Sequence, residues 1–481
     1  MHEARATYQN IGLILGPLVA AIFFVLPPAE GLTLEAWRVV SIALWMAIWW
    51  ATEAIPVPAT SLIPLISLPV LGITDARGAA APYAHNIIFL LLGGFIMAMA
   101  MQRWDLHKRI ALNIVSRVGD HPAAIIAGFM AASALLSMWI SNTATTLMMI
   151  PIAITVAQTV TGGKTFHHFT IALVLGIAYA SSIGGFGTPI GTPPNAIAIG
   201  FMNEEFGIDI SFPEWMGLGI PVVLVMVPAA WVVLTKWTYS LKDFHVETGG
   251  SAVQAELKAL GRMTTPEKRT AMVFLVIASL WMTRLLLNKI PGLEGLNDMT
   301  IAIFGAVVMF LIPAGCKEKK GAVLLNWNWA VKIPWGVILL FGGGLSLANA
   351  IQVTGLSIWL GDALSGLTAF NLIWLLLALI ALVVFLTELT SNTATTAALM
   401  PVLGALAVTG DYNPLLLAAP AALAASCAFM LPVATAPNAV VFSSGQVTIP
   451  QMTKAGFRLN LIAIIVLTSI GYALVPVVFG G

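Results

Sequence analysis

The sequence predicts an all-α polytopic membrane protein with about eleven membrane-spanning helices and two re-entrant hairpins arranged as an inverted repeat. Three observations carry this. The 481 residues are 59% hydrophobic and only 9% charged, which leaves too little polar surface to cover a soluble globule. Apolar stretches of roughly 20 residues, the length that crosses a bilayer as a helix, recur along the whole chain. The hexapeptide Ser-Asn-Thr-Ala-Thr-Thr occurs twice, at residues 141–146 and 391–396, an offset of 250 (391 − 141).

In chain order, the stretch 10–28 follows a short polar start with Arg5 and runs into Pro27-Pro28 with no small-residue cleavage pattern. It reads as a spanning helix rather than a cleaved signal. Further spans are expected near 35–51, 55–74, 86–103, 169–202, 215–235, 268–287, 298–314, 335–352, 414–447 and 456–479. The stretches 122–160 and 370–409 each hold one hexapeptide near the middle and are expected to enter and leave the membrane by the same face.

Cytoplasmic loops hold the excess of Lys and Arg. With the N-terminus inside, Arg103, Lys108, Arg109, Arg117, Lys164, the linker 236–269, Lys317, Lys319, Lys320, Lys332, Lys454 and Arg458 share one face. Of the 22 Lys and Arg, only Arg38, Arg77, Arg284 and Lys289 fall on or near the other, which carries Glu204, Glu205, Asp209, Glu214, Asp362 and Asp411. The C-terminus is then outside, in a cytoplasmic-membrane protein. The first hexapeptide is flanked by basic residues, whereas no Lys or Arg lies between Lys332 and Lys454 around the second. The two hairpins therefore enter from opposite faces. The repeat extends to Phe89-Leu90-Leu91-Leu92-Gly93-Gly94, matched at offset 250 by Leu339-Leu340-Phe341-Gly342-Gly343-Gly344. It extends further to Gly191-Thr192-Pro193-Pro194-Asn195-Ala196, matched by Ala434-Thr435-Ala436-Pro437-Asn438-Ala439 at offset 243 (434 − 191).

Gly184, Gly185, Gly187, Pro189, Gly191, Pro193 and Pro194 crowd one stretch, too many breakers for a helix interior. That span is expected to unwind, and Pro432 and Pro437 interrupt the tenth in the same way. Unwound backbone at membrane depth is tolerated where it lines a cavity. Its carbonyls suit a cation, and the N-terminus of a restarted half-helix suits an anion. Ser137 and Ser141, like Thr387 and Ser391, are four apart and are expected on one helical face before each break. Clustered oxygen donors fit a small hard cation such as Na⁺. Neither hairpin tip nor unwound segment contains Lys or Arg, so an anionic substrate draws its positive charge from bound cations, helix termini and amide or hydroxyl donors. Inverted repeats with broken helices place substrate and coupling ion between the halves, and the pattern points to an ion-coupled transporter.

Other readings fare less well. Ser and Thr in membrane helices ordinarily bond back to their own helix, but two identical copies in inverted halves are not explained that way. Gly93-Gly94 and Gly343-Gly344 favour close helix packing over ligand contact, and Glu53 reads as structural. Glu388, three residues before Ser391, is left open among cation binding, proton carriage and bracing. Cys316 and Cys427 form neither a disulfide framework nor a metal site. No basic run points to nucleic acid. An intramembrane hydrolase lacks a Ser/His, paired-Asp or His-rich constellation, so the chain is not read as an enzyme. An ion channel remains open on the hairpins alone.

Ser141-Asn142-Thr143, Ser391-Asn392-Thr393, Thr52-Glu53-Ala54-Ile55-Pro56, Gly191-Thr192-Pro193-Pro194-Asn195 and Leu431-Pro432-Val433-Ala434-Thr435-Ala436-Pro437-Asn438 resemble the divalent anion/sodium symporter family, the INDY-like dicarboxylate and citrate transporters. The likeness runs from about residue 35 to the end. It implies a homodimer in lipid whose subunits pair a scaffold domain with a transport domain that moves as an elevator. On that division, 1–34 is an N-terminal segment with the first helix, and 35–121 and 270–369 are scaffold parts. The transport parts are 122–214 and 370–481, with 215–269 a spanning helix plus linker. The resemblance implies one sodium at Ser137, Ser141, Asn142 and the Gly191 carbonyl, and a second at Thr387, Thr390, Asn392 and the Ala434 carbonyl. Asn142, Thr143, Thr192, Asn392, Thr393 and Thr435 would meet the substrate carboxylates, with Na⁺ as coupling ion and no cofactor. Ala436 stands where the first half has Pro193, a departure that leaves the ligand set intact. The expected activity is sodium-coupled uptake of succinate, malate or fumarate. A sodium-independent exchanger of dicarboxylate, 2-oxoglutarate or citrate is the alternative.

Overall fold

The computed structural model describes residues 6–119, 121–161, 168–241, 249–316 and 321–480. Arg5, Lys164, Lys317, Lys319, Lys320 and part of the 236–269 linker lie outside the described residues. Within them the chain is helical apart from one isolated antiparallel bridge, Pro313 with Val323.

An outlying helix α1 (Thr7–Val25) leads into two runs of elements in the same order. The first comprises α2 (Leu34–Thr52), α3 (Ile63–Val70), α4 (Asn86–Arg103), α5 (Leu106–Val115), the hairpin α6 (Pro122–Ser137) and α7 (Asn142–Thr161), the broken helix α8 (His168–Gly184) and α9 (Pro193–Phe206), and α10 (Phe212–Val232). After a linker come α11 (Thr265–Leu287), α12 (Asp298–Leu311), α13 (Trp335–Val353), α14 (Leu356–Ala363), the hairpin α15 (Leu372–Leu386) and α16 (Asn392–Thr409), the broken helix α17 (Pro414–Ala425) and α18 (Ala436–Ser443), and α19 (Ile449–Phe479). Local chemistry marks the starts. Ser211 with Glu214 and Thr264 with Glu267 form capping boxes ahead of α10 and α11, satisfying first-turn N–H groups that have no partner within the helix.

Ten helices among the described residues are long and apolar enough to cross a bilayer, and two of these, α7 and α16, are hairpin arms. Eight of the eleven expected spans contain one such helix, and the other three, 55–74, 298–314 and 414–447, rest on shorter helices. The stretch 55–74 is a turn of helix, Val57–Thr60, followed by α3, because Pro56, Pro58, Pro64 and Pro69 interrupt the hydrogen-bond ladder. The span drawn over 298–314 is helical only to Leu311, and that over 414–447 consists of pieces of 12 and 8 residues. The last helix starts earlier than expected and runs 31 residues, about 47 Å at 1.5 Å per residue, long enough to require tilt or protrusion.

Two sets of elements can be followed through the packing, joined by α13, which also lies against α9 and α16. In one, α12 lies against α4 and α11, and α13 crosses α3. In the other, α8 is buried along its length between α6 and α7, while α10 packs on α19. The halves of this second group are interlocked. The restarted half-helix α9 packs against α16 and α17, and α18 packs against α7 and α8. Each broken helix is thus seated on the hairpin of the opposite repeat.

The paired glycines are packing residues, as expected. A Cβ on Gly93 would lie 2.6 Å from the Ala302 carbonyl carbon, and one on Gly343 2.3 Å from the Ser61 carbonyl oxygen. Their neighbours face the other group: Gly94 lies against Ile190 and Gly344 against Ala397.

Candidate functional site

Both hexapeptides and both unwound segments line one cavity of about 790 Å³. Its walls include 141–143, 190–194, 389–393 and 433–437, closed by Tyr8, Ala51, Glu53, Phe95, Pro334 and Val337. All six residues named for substrate contact, Asn142, Thr143, Thr192, Asn392, Thr393 and Thr435, line it. So do Ser141, Gly191, Thr390 and Ala434, while Ser137 and Thr387 are fully buried behind the asparagines. Among the described lining residues, Glu53 is the one charged group. It terminates α2 in the left-handed conformation (φ 47°), the structural role read for it. The starts of α7, α9, α16 and α18 all reach the cavity wall, so four positive helix ends converge on a space without Lys or Arg.

In the first half, an Asn142 amide end stands among oxygens alone: Ser137 Oγ at 2.6 Å, the Ser181 carbonyl at 3.2 Å and the Gly191 carbonyl at 3.3 Å. An NH₂ there has all three within donating distance and two hydrogens to share among them. With the amide oxygen turned inward, four oxygens form a cage that a hard cation neutralises. Gly185 is part of this geometry, since a Cβ there would lie 2.9 Å from the Asn142 amide and 3.0 Å from the Gly191 carbonyl. Ser141 sits at the start of α7 and its Oγ accepts from Ala144 N at 3.3 Å.

The second half repeats the core of this pattern. Thr387 Oγ1 lies 2.7 Å from both Asn392 Oδ1 and the Ala425 carbonyl. Thr390 Oγ1 donates to the Leu386 carbonyl at 2.9 Å and lies 2.6 Å from Thr395 Oγ1. The expectation that each hydroxyl pair shares a helical face is corrected: Ser137 ends α6 and Thr387 caps α15, whereas Ser141 and Ser391 lie beyond the tips, ahead of α7 and α16. The turn between them brings Ser137 and Thr387 onto the asparagines instead.

Sequence reading passed over the residues that hold the unwound segments. Asn195 Nδ2 donates to the carbonyls of Gly185 at 2.9 Å and Thr188 at 2.8 Å. Asn438 Nδ2 donates to Ala428 at 3.1 Å and Leu431 at 3.0 Å, the same partners displaced by 243. Both asparagines are fully buried. The signal was present, because both stood in the repeated Pro-Asn motif. The Glu388 carboxylate accepts from the backbone N–H groups of Phe429, Met430 and Leu431 and from Asn460 Nδ2, the contacts that bracing requires. Among the described residues, no cluster of three or more His, Cys, Asp or Glu is placed to hold a metal ion.

A helical membrane bundle in which broken helices and hairpin tips from two repeats converge on one cavity defines a multi-pass membrane transporter. The chain belongs to the family described as the sodium:sulfate symporter transmembrane region, whose model matches residues 8–479. It is 42% identical to the sodium-dependent dicarboxylate transporter SdcS of Staphylococcus aureus, with 99% of this chain and 93% of that protein aligned. To SdcS of Staphylococcus saprophyticus it is 43% identical, over 98% and 92%. Among solved structures, the Alcanivorax borkumensis YdaH transporter shares the fold at TM-score 0.59 and 15% identity, covering 98% of this chain and 97% of that one. Neisseria gonorrhoeae MtrF does so at 0.59 and 13%, covering 97% and 94%.

Proposed function

We propose that this protein is a secondary active transporter that carries C4 dicarboxylates such as succinate, malate or fumarate across the cytoplasmic membrane together with sodium. One observation carries the reading: two Ser-Asn-Thr tips and two unwound segments share a cavity with no Lys or Arg on its described walls. A dianion entering it needs positive charge, and helix ends together with sodium at the two oxygen clusters supply it. The first sodium is assigned to Ser137, Ser141, Asn142 and the Gly191 carbonyl, and the second to Thr387, Thr390, Asn392 and the Ala434 carbonyl. Asn142, Thr143, Thr192, Asn392, Thr393 and Thr435 take the carboxylates. The relatives named as sodium-dependent dicarboxylate transporters support both the ion and the substrate class.

The reading includes an inverted repeat with the N-terminus cytoplasmic and the C-terminus outside, and a homodimer. In each subunit, α6 to α10 and α15 to α19 move as one body against a frame containing α2 to α4 and α11 to α13. The cavity lies beside Tyr8, Glu53 and Pro334, on the face that carries most Lys and Arg, so this arrangement is read as inward-facing.

The test is uptake of radiolabelled succinate into liposomes holding the purified protein, under an inward sodium gradient and under an equal potassium gradient. Uptake with sodium alone is expected. Uptake under neither gradient, restored by preloading dicarboxylate, identifies an exchanger and overturns sodium coupling.

A further inference from the structure

The cavity wall differs between the two repeats in its apolar residues, although its polar ones are paired. Leu389, one residue before Thr390, and Val433, one before Ala434, both line the cavity and are 73% and 84% exposed. Their counterparts in the first repeat are covered. Trp139, 250 residues before Leu389, stacks on Phe212 with ring centroids 5.9 Å apart and meets Phe274 edge-on at 5.0 Å. Ile190, 243 before Val433, reaches the wall but is only 7% exposed, and its Cδ1 lies 3.1 Å from where a Cβ on Gly94 would stand.

The two bare side chains stand on segments that are tied together. Glu388 Oε2 accepts from Leu431 N at 3.2 Å, which joins the hairpin tip to the unwound segment one residue before Leu389 and two before Val433. Asn392, Thr393 and Thr435 share the same wall. Covering apolar surface is favourable, so a bare Leu and Val beside this polar group favour a ligand with both kinds of surface. A C4 dicarboxylate has two charged ends and a middle of two carbons. Its ends suit the amides and hydroxyls, and its middle suits the apolar pair. A charged substituent on that middle would give up water against Leu and Val and gain no hydrogen-bond partner from them.

We propose that Leu389 and Val433 are specificity-determining residues: they cover the central carbons of the bound dicarboxylate and disfavour anions that carry a third carboxylate there, as citrate does. This rests on the dicarboxylate reading of the same site. The second repeat alone supplies the pair, so the bound anion has one apolar side although its polar contacts come from both repeats.

The experiment measures, in proteoliposomes under an inward sodium gradient, the KM and kcat of succinate uptake and the inhibition of that uptake by fully ionised citrate. Wild type is compared with Leu389→Ser, Val433→Ser and Val433→Ile. Polar replacement of an exposed apolar side chain ordinarily leaves the fold intact, and Leu389→Ala and Val433→Ala keep the test open if a Ser variant fails to fold. In the Ser variants the preference for succinate over citrate is expected to fall about tenfold, the scale on which a few apolar groups discriminate substrates. The expected change lies in a higher succinate KM and stronger citrate inhibition, while Val433→Ile keeps the wild-type preference. An unchanged preference in the folded variants overturns the proposal, and so does an equal loss of kcat with both KM and citrate inhibition unmoved, which would assign the two side chains to movement of the protein. If wild type shows no saturable, sodium-dependent succinate uptake, the proposed function itself is wrong and this inference falls with it.

Discussion

Asn142 and Asn392 do two jobs with one side chain. Each begins a hairpin's second arm at the cavity wall, and each is held from behind by a buried hydroxyl, Ser137 or Thr387. Asn142→Ala and Asn392→Ala are each expected to abolish uptake while the protein still elutes as a folded species on size-exclusion chromatography; normal uptake by both would sink the site assignment. Asn195 and Asn438 act at one remove, tying the carbonyls of the unwound segments together. Replacing Asn195 with Leu leaves those buried carbonyls without a donor, at about 1–3 kcal/mol each. Uptake is expected to fall at least about tenfold, a 1.4 kcal/mol effect on the functional geometry, although every cavity-lining residue is retained. A thermal unfolding midpoint below wild type, recorded on the same sample, is the accompanying check.

At the scale of elements, glycines decide how closely helices approach the breaks. A Cβ on Gly219 of α10 would lie 2.3 Å from the Phe186 carbonyl oxygen, and one on Gly456 of α19 2.2 Å from that of Phe429. Phe186 and Phe429 are themselves equivalent at offset 243, so both repeats use a glycine in the closing helix to seat the unwound backbone. Gly456→Ala forces backbone apart, and overpacking of this kind costs about 1–3 kcal/mol. The expected outcome is a lower unfolding midpoint together with impaired transport. A midpoint equal to wild type would show that α19 can move aside without penalty. Neither glycine stood out in the sequence, because one small residue in an apolar helix looks like any other until the facing carbonyl is known.

The whole molecule is read as a moving body against a frame, and the two come close where α4 meets the first unwound segment. A Cβ built on Gly94 of α4 lies 3.6 Å from Ile190 Cβ in the first unwound segment, within the range of disulfide-linked Cβ atoms. With Cys316 and Cys427 replaced by Ser, the pair Gly94→Cys and Ile190→Cys is expected to transport when reduced and to stop when oxidised, recovering with reductant. Full activity of the crosslinked form would rule out movement between these elements. Polar bonds also cross this boundary, from His85 to Asn203 at 3.0 Å and from Arg284 to Asp209 at 3.6 Å.

From the sequence alone came the membrane class, the repeat, the two breaks and the cavity-lining residues, because each depends on local composition or on identity between two segments of one chain. Apolar length, clustered Gly and Pro, and a duplicated hexapeptide are readable without knowing what lies opposite. Helix integrity was less legible: the stretch 55–74 looked continuous by hydropathy, yet its prolines divide it. Only the tertiary structure decided which groups face one another. It placed Ser137 behind Asn142 rather than beside Ser141, set Asn195 and Asn438 as clamps, seated each broken helix on the other repeat's hairpin, and set the Glu388 carboxylate on the backbone of the second unwound segment. The physical reason is that hydrogen bonds and close packing between segments tens to hundreds of residues apart depend on the angle and depth at which helices meet. No local pattern encodes those quantities.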